Sequence, residues 1–128
     1  MENVTQLWIE RADYDLDTAE AMLKSARYLY VAFACQQAVE KYLKAIIQKR
    51  SGKHPPYIHN LPSLLQLSGM SLSHEQQEFL MLLTQYYINS RYVDFKQKLF
   101  EGMSREKAKD CFNKTKDIIL CLKKELKI

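Results

Sequence analysis

The chain is poor in residues that let a backbone turn: three glycines and three prolines among 128 residues. An all-β fold reverses direction every few residues and would need more of both, so helices are favoured before any pattern is read. Cysteine is scarce as well. Cys35, Cys111 and Cys121 are odd in number and form no CxxC pair, which argues against a disulfide framework or a zinc site and suits reduced thiols packed as small apolar groups. No apolar run approaches the roughly 20 residues needed to cross a bilayer. The amino end, Met1-Glu2-Asn3, lacks the positive charge that opens a secretory signal. A soluble, cytoplasmic protein with no membrane partner is expected.

Several chemistries lack their frame. There is no GxSxG elbow, phosphate-cradling glycine loop or dinucleotide fingerprint, and three glycines could hardly build the last two. His54, His59 and His74 offer no i, i+4 pair to hold a metal. Asp13-Tyr14-Asp15-Leu16-Asp17 imitates the start of a calcium loop, but Thr18 and Lys24 stand where its glycine and final glutamate belong. Neither a metal nor a cofactor is expected.

What the chain has is helical periodicity. Trp8, Ala12, Leu16, Ala19 and Leu23 recur at three- and four-residue steps, predicting a helix over about Thr5 to Lys24. From Leu29 to Lys49 the apolar positions Val31, Ala34, Cys35, Ala38, Val39, Tyr42, Ala45 and Ile46 cover a face wide enough for more than one neighbour, part of it expected to be covered by a second subunit. Gln37, Lys41, Lys44 and Gln48 fall opposite, joined by Glu40, and are expected to form a solvated polar face. Gly52 and the Pro55-Pro56 pair end this helix. Asn60 precedes a short helix, Leu61 to Leu67, and Ser73 with Gln76 makes a capping-box pattern opening a helix to about Asn89. Residues 90–103 read as irregular, and Ser104 caps a last helix with a seam of Ala108, Phe112, Thr115, Ile119, Leu122 and Leu126. No repeat or linker divides the chain. The expectation is one domain over residues 1–128, an all-α, up-and-down bundle of four long helices plus one short helix.

Charge is uneven. Residues 1–25 hold six acids, Glu2, Glu10, Asp13, Asp15, Asp17 and Glu20, against Arg11 and Lys24, whereas residues 96–128 hold ten Lys or Arg against five acids. The basic carboxyl end suits nucleic acid or an acidic partner, or else a solvated face whose charge pairs with the acidic first helix.

The densest chemistry lies in Tyr86-Tyr87-Ile88-Asn89-Ser90-Arg91-Tyr92-Val93-Asp94-Phe95, one guanidinium among four rings and an acid. Aromatic faces stack bases and guanidinium holds phosphate, so a nucleotide or RNA ligand is coherent here. The structural alternative is that the rings fill the end of the bundle while Asp94 fixes Arg91. Lys41 and Lys44 on the second helix are outer candidates for an anion.

Phe33-Ala34-Cys35-Gln36-Gln37-Ala38-Val39-Glu40-Lys41-Tyr42-Leu43-Lys44-Ala45, followed by His59-Asn60-Leu61 and later by Ser90-Arg91-Tyr92-Val93-Asp94, resembles the HEPN family, with likeness from Trp8 to about Leu122. The resemblance implies a bundle of four to five helices, a homodimer, and a separately encoded minimal nucleotidyltransferase as partner, in some cases as a toxin-antitoxin pair. Many members are ribonucleases using an Arg followed after four to six residues by His. Here Arg91 is followed by Tyr92, Val93, Asp94, Phe95, Lys96 and Gln97, and no histidine occurs beyond His74. Catalytic residues are therefore not assigned, and the missing motif argues against an enzyme. A lysine such as Lys96 is a poor substitute, since an ordinary ammonium with a pKa of about 10.4 stays protonated near neutrality. Other members bind nucleotides or are modified on a tyrosine by the transferase, which draws attention to Tyr92.

The reading is a dimeric module that binds a nucleotide or a nucleotidyltransferase partner, with Arg91, Tyr92 and Asp94 at the site and Lys41, Lys44 and His59 around it. Its alternatives are a metal-independent ribonuclease with a non-standard active site, for which His59 is the family-matched imidazole, and a structural docking domain.

Overall fold

Each helix begins and ends where a local backbone requirement is met. The computed structural model describes residues 3–127, so Met1 and Glu2, counted above in the acidic amino end, lie outside the described residues. Helix α1 spans Val4–Lys24 and starts where the Asn3 side chain accepts a hydrogen bond from the amide of Gln6. Helix α2, Tyr28–Ser51, ends at Gly52 with φ 70°, the left-handed cap anticipated from sequence. In α3, Leu61–Ser68, Asn60 caps the amide of Ser63 and a proline occupies the first turn. The Ser73–Gln76 box opens α4, His74–Asn89, with both reciprocal bonds made. Ser104 accepts from the amide of Lys107 at the start of α6, Arg105–Leu126.

The remaining helix differs from expectation. Residues 90–103, read as irregular, contain α5, Val93–Gly102. Its side chains bury nothing fully, so no core-facing stripe exists for a periodicity argument to find. Val93 and Phe100 are 86% and 64% exposed. The fold is otherwise the anticipated all-helical bundle, with no strand among the described residues.

Helix α2 is the axis of the packing. It lies against α1, α3, α4 and α6, as its wide apolar face requires. Val31, Cys35, Ala38, Val39, Tyr42, Leu43 and Ile46 are wholly enclosed. Helices α1 and α2 pack together extensively, and Ala12 and Ala19 on α1 and Ala38 and Ala45 on α2 are all fully buried. The apolar face of α2 is thus consumed inside the chain, not left open for a second subunit as its width in sequence suggests. Cys35 and Cys111 are buried thiols and Cys121 is half-buried, all three unpaired by disulfides. Among the described residues no helix is long and apolar enough to cross a membrane.

Among the described residues, no acid of the first helix pairs with a cation of the last. Asp13 accepts a hydrogen bond from the Tyr42 hydroxyl and Asp15 pairs with Lys41, both on α2, while Glu20 pairs with Lys24 in its own helix. Burial, reinforced by the Asp13 carboxylate, raises the Tyr42 phenol above its ordinary pKa, so it remains a donor. Within α6, Lys114 pairs with Asp110.

Arg50 closes the foot of the bundle, donating from Nε to Glu125 on α6 at 3.0 Å and from Nη1 to the carbonyl of Ser68 at the end of α3. Gly69 makes this possible. Its φ is +73°, and a Cβ there would lie 2.5 Å from Arg50 Nη1, whereas Gly52, with φ +70°, has open space around it. Gly52→Ala should therefore cost only the left-handed strain, about 1–2 kcal/mol. Gly69→Ala should cost up to about 1 kcal/mol more, because it also displaces a partly exposed ion pair. Urea unfolding of the two variants side by side measures the difference, and equal losses would show that Arg50 simply moves aside.

Candidate functional site

The second helix carries the site's foundation on the side expected to be solvated. Gln36, Glu40 and Lys44 recur every four residues and share one face, and all three are buried, Glu40 at 3% and Lys44 at 5% exposure. The expectation of a solvated polar face is corrected here. His59, from the segment before α3, and the α1 residue Trp8 come against these side chains, and such long-range cover leaves no mark in helical periodicity.

Glu40 is the centre. Its carboxylate accepts hydrogen bonds from Gln36 Nε2 at 3.2 Å and Lys44 Nζ at 3.1 Å, and lies 2.9 Å from His59 Nδ1. Gln36 Nε2 also donates to the backbone carbonyl of His59 at 3.0 Å, and Gln36 Oε1 accepts from Gln37 Nε2 at 2.6 Å. The Lys44 ammonium sits 5.6 Å from the centre of the Trp8 ring. An isolated carboxylate would be costly at this depth, and three donors, one of them a cation, offset that cost. Glu40 precedes Lys44 by four residues, the favourable ion-pair order on a helix, but in the interior instead of on a wet surface.

From Glu40 the network runs outward. The His59 ring lies 5.2 Å from the Tyr87 ring of α4, tilted by 39°. The Arg91 guanidinium lies 5.7 Å from the centre of that same Tyr87 ring. Arg91 follows the end of α4, and its amide bonds the carbonyl of Ile88 in the turn leading to α5. The side chain is exposed, and among the described residues no carboxylate lies within ion-pairing distance. Asp94 does not fix Arg91. It is exposed in the first turn of α5, where an acid complements the helix dipole. Tyr92 is exposed too, edge-on to Phe95 at 6.2 Å, so these rings do not plug the end of the bundle.

The sequence-derived candidates therefore separate. Arg91 and His59 each lie against Tyr87, with Tyr92 beside Arg91 in the chain. Lys41 is bound to Asp15 and half-buried. Lys44 is enclosed beside Trp8 and held by Glu40, so both cations are committed to carboxylates and neither is open to a ligand. Gln36, Glu40 and Tyr87 join the site without having been singled out. Tyr87 stood inside the aromatic stretch, whereas the pairing of Glu40 with His59 spans nineteen residues and two elements. A groove of about 460 Å³ lies elsewhere, between the start of α4 and α6. Its one cation, Lys114, is already held by Asp110, so size alone does not mark the chemistry.

The arrangement can do two things. An unpaired guanidinium against an aromatic ring can take a phosphate with a stacked base. An imidazole held by a buried carboxylate presents its other nitrogen in a defined direction.

Comparison with known proteins gives a consistent result. A family model described as the HEPN domain matches residues 5–126. TT1696 from Thermus thermophilus has a crystal structure that superposes with a TM-score of 0.81 at 23% identity, covering 97% of this chain and 99% of that one. The crystal structure of ST0689, described as an archaeal HEPN homologue, superposes with a TM-score of 0.77 at 24% identity over 98% of each chain. No curated protein matches.

Glu40→Ala should destabilise the protein by about 3–5 kcal/mol, because it strands the Lys44 ammonium in the interior. The double variant Glu40→Leu with Lys44→Met should recover most of that loss. Chemical denaturation reads both; a single variant as stable as the parent would show that the carboxylate is dispensable to the fold.

Proposed function

The chain belongs to the HEPN family, and from that premise we propose that it is a dimeric binding module whose Arg91, Tyr87, Tyr92 and His59 take up a nucleotide. The exposed, carboxylate-free guanidinium of Arg91 against the Tyr87 ring carries this reading. A guanidinium left unpaired beside open aromatic faces is poised to form charge-assisted bonds to phosphate oxygens while a base stacks nearby. The family likeness adds a separately encoded minimal nucleotidyltransferase as the protein partner, in a toxin-antitoxin-like pair within the cytoplasm. Tyr92, exposed beside Arg91, is the tyrosine such a partner would reach.

Dimerisation has a different basis from the one suggested by helix α2. Among the exposed apolar side chains, Val93, Phe95 and Phe100 lie on α5 and Ile88 precedes it. Burying that surface against a second copy would remove it from water.

The Glu40–His59 pair favours a second reading, metal-independent cleavage of RNA. His59, supplied by the loop before α3, would move the proton, and Arg91 would stabilise the developing phosphate charge. The binding reading is preferred because His59 stands outside the Arg-to-His spacing of the ribonuclease members.

Arg91→Ala should weaken nucleotide binding in calorimetric titration by about tenfold or more. It should leave the unfolding midpoint unchanged, since the guanidinium is exposed and forms no ion pair. Wild-type protein that binds no nucleotide would sink the proposal. Sedimentation should give a dimer, with Val93→Asp combined with Phe100→Glu shifting it to a monomer; a monomeric parent refutes the α5 interface. RNA incubated with the protein in chelator should remain intact, whereas breakdown that requires both Arg91 and His59 would favour the second reading.

A further inference from the structure

We propose that the end of the bundle where α1 turns into α2 carries an anion site, built from Arg27, Tyr28, Arg105 and Lys109, that takes a condensed phosphate such as tripolyphosphate. It shares no residue with the Arg91 cluster and stands whether or not that cluster binds a nucleotide.

Two hollows adjoin at this end. One, of about 400 Å³, is lined by Leu23, Lys24, Tyr28, Arg105 and Lys109. The other, of about 430 Å³, is lined by residues 25–30 with Phe100 and Met103. Tyr28 belongs to both, so the hollows share a wall. A sharp reversal of the chain builds that wall: α1 ends at Lys24, Ala26 takes a φ of 63°, and α2 begins at Tyr28. Leu29 is buried, and Leu23 and Tyr28 pack against the core, which anchors the apolar floor while the charged side chains stay outside.

The fold does not consume these cations. Arg27, Arg105 and Lys109 are exposed, and among the described residues none of them has an ion pair. Lys24 differs, since Glu20 holds it at 3.0 Å, and it is not counted in the site. No carboxylate lines either hollow. Glu106, the acid next to Arg105 in the chain, is set about 100° round the axis of α6 from it.

Backbone electrostatics opposes a purely structural role for the two arginines. Arg27 is the cap residue of α2 and Arg105 the first residue of α6, and the start of a helix carries partial positive charge that disfavours a cation. The first turn of α2 holds no acid to offset it, and its cap makes no side-chain bond. Lys24 shows the favourable placement, in the last turn of α1. Unpaired cations gathered against this preference repel one another, and an anion among them removes that cost.

The distribution of charge selects the kind of anion. Arg105 and Lys109 line one hollow and Arg27 the other, so a single phosphate would satisfy one side and leave the other unmet. Linked phosphates spread their charge over several groups and reach both. The guanidinium groups take phosphate oxygens in pairs, Lys109 adds a point charge, and the Tyr28 hydroxyl is a neutral donor. Such a chain occurs free and as the tail of a nucleoside triphosphate.

Tripolyphosphate titrated calorimetrically into the full chain at about 0.1 M salt should bind, and orthophosphate should bind on the order of tenfold more weakly. Arg105→Ala combined with Lys109→Ala should weaken tripolyphosphate by about tenfold or more, and Arg27→Ala by a smaller factor. Arg91→Ala should leave it unchanged, and unfolding midpoints check that each variant is folded. ATP titrated into the Arg91→Ala protein identifies the source: affinity equal to that of tripolyphosphate admits the nucleotide tail, weaker affinity marks the free chain, and either supports the site. Lys53→Ala combined with Lys116→Ala removes two exposed cations elsewhere and should change little; an equal loss there would expose unspecific attraction and overturn the inference. Tripolyphosphate that fails to bind, or whose binding depends on Arg91 alone, would overturn it too. So would a single-stranded RNA oligonucleotide that binds through these cations more tightly than tripolyphosphate, which would make the surface a nucleic-acid track.

Discussion

A carboxylate buried among three donors organises much of this molecule. Glu40 draws Gln36, Lys44 and His59 to one point of α2, and the contacts reach different parts of the chain. Lys44 meets Trp8 of α1, His59 anchors the loop before α3, and Gln36 clamps the His59 backbone. A charge so placed is poorly suited to stabilising the fold by itself, since its desolvation consumes much of what its partners contribute. Its stronger effect is on specificity: the placement of the loop gives each of these donors its partner. The exposed cluster of His59, Tyr87 and Arg91 is built outward from that arrangement.

Much of the architecture was legible because burial on one side of a helix leaves a period in sequence. The stripe of α1, the wide face of α2, the Ser73–Gln76 box and the Gly52 cap all correspond to local backbone or packing requirements. Helix α5 escaped because it meets none of them, having no buried residue and no side-chain cap at Tyr92. The polar side of α2 was misread for the opposite reason. Gln36, Glu40 and Lys44 look like a wet surface to any local rule, and only distant segments turn them into interior. At the site, Arg91 and its rings were visible as one unusual stretch. Its connection to His59 was not, since the spacing rule that identifies the family's Arg-His pair is blind to a histidine lying earlier in the chain.

The distribution of charge follows the same division between local and distant causes. Acids on α1 could have offset the cations of α6, but Asp13 and Asp15 are engaged by Tyr42 and Lys41 of α2 instead. The positive excess of the last helix consequently remains on the outside, where it raises the local potential felt by anions arriving from solution.

The absence of buried side chains on α5 bears on how the two halves of the cluster behave in time. Segments with little enclosed surface open locally at low free energy while the rest of a domain stays closed. Arg91 hangs at the root of such a segment, whereas His59 is moored to the most enclosed helix of the protein. Local opening of that segment moves the guanidinium, while His59 keeps its place against Glu40.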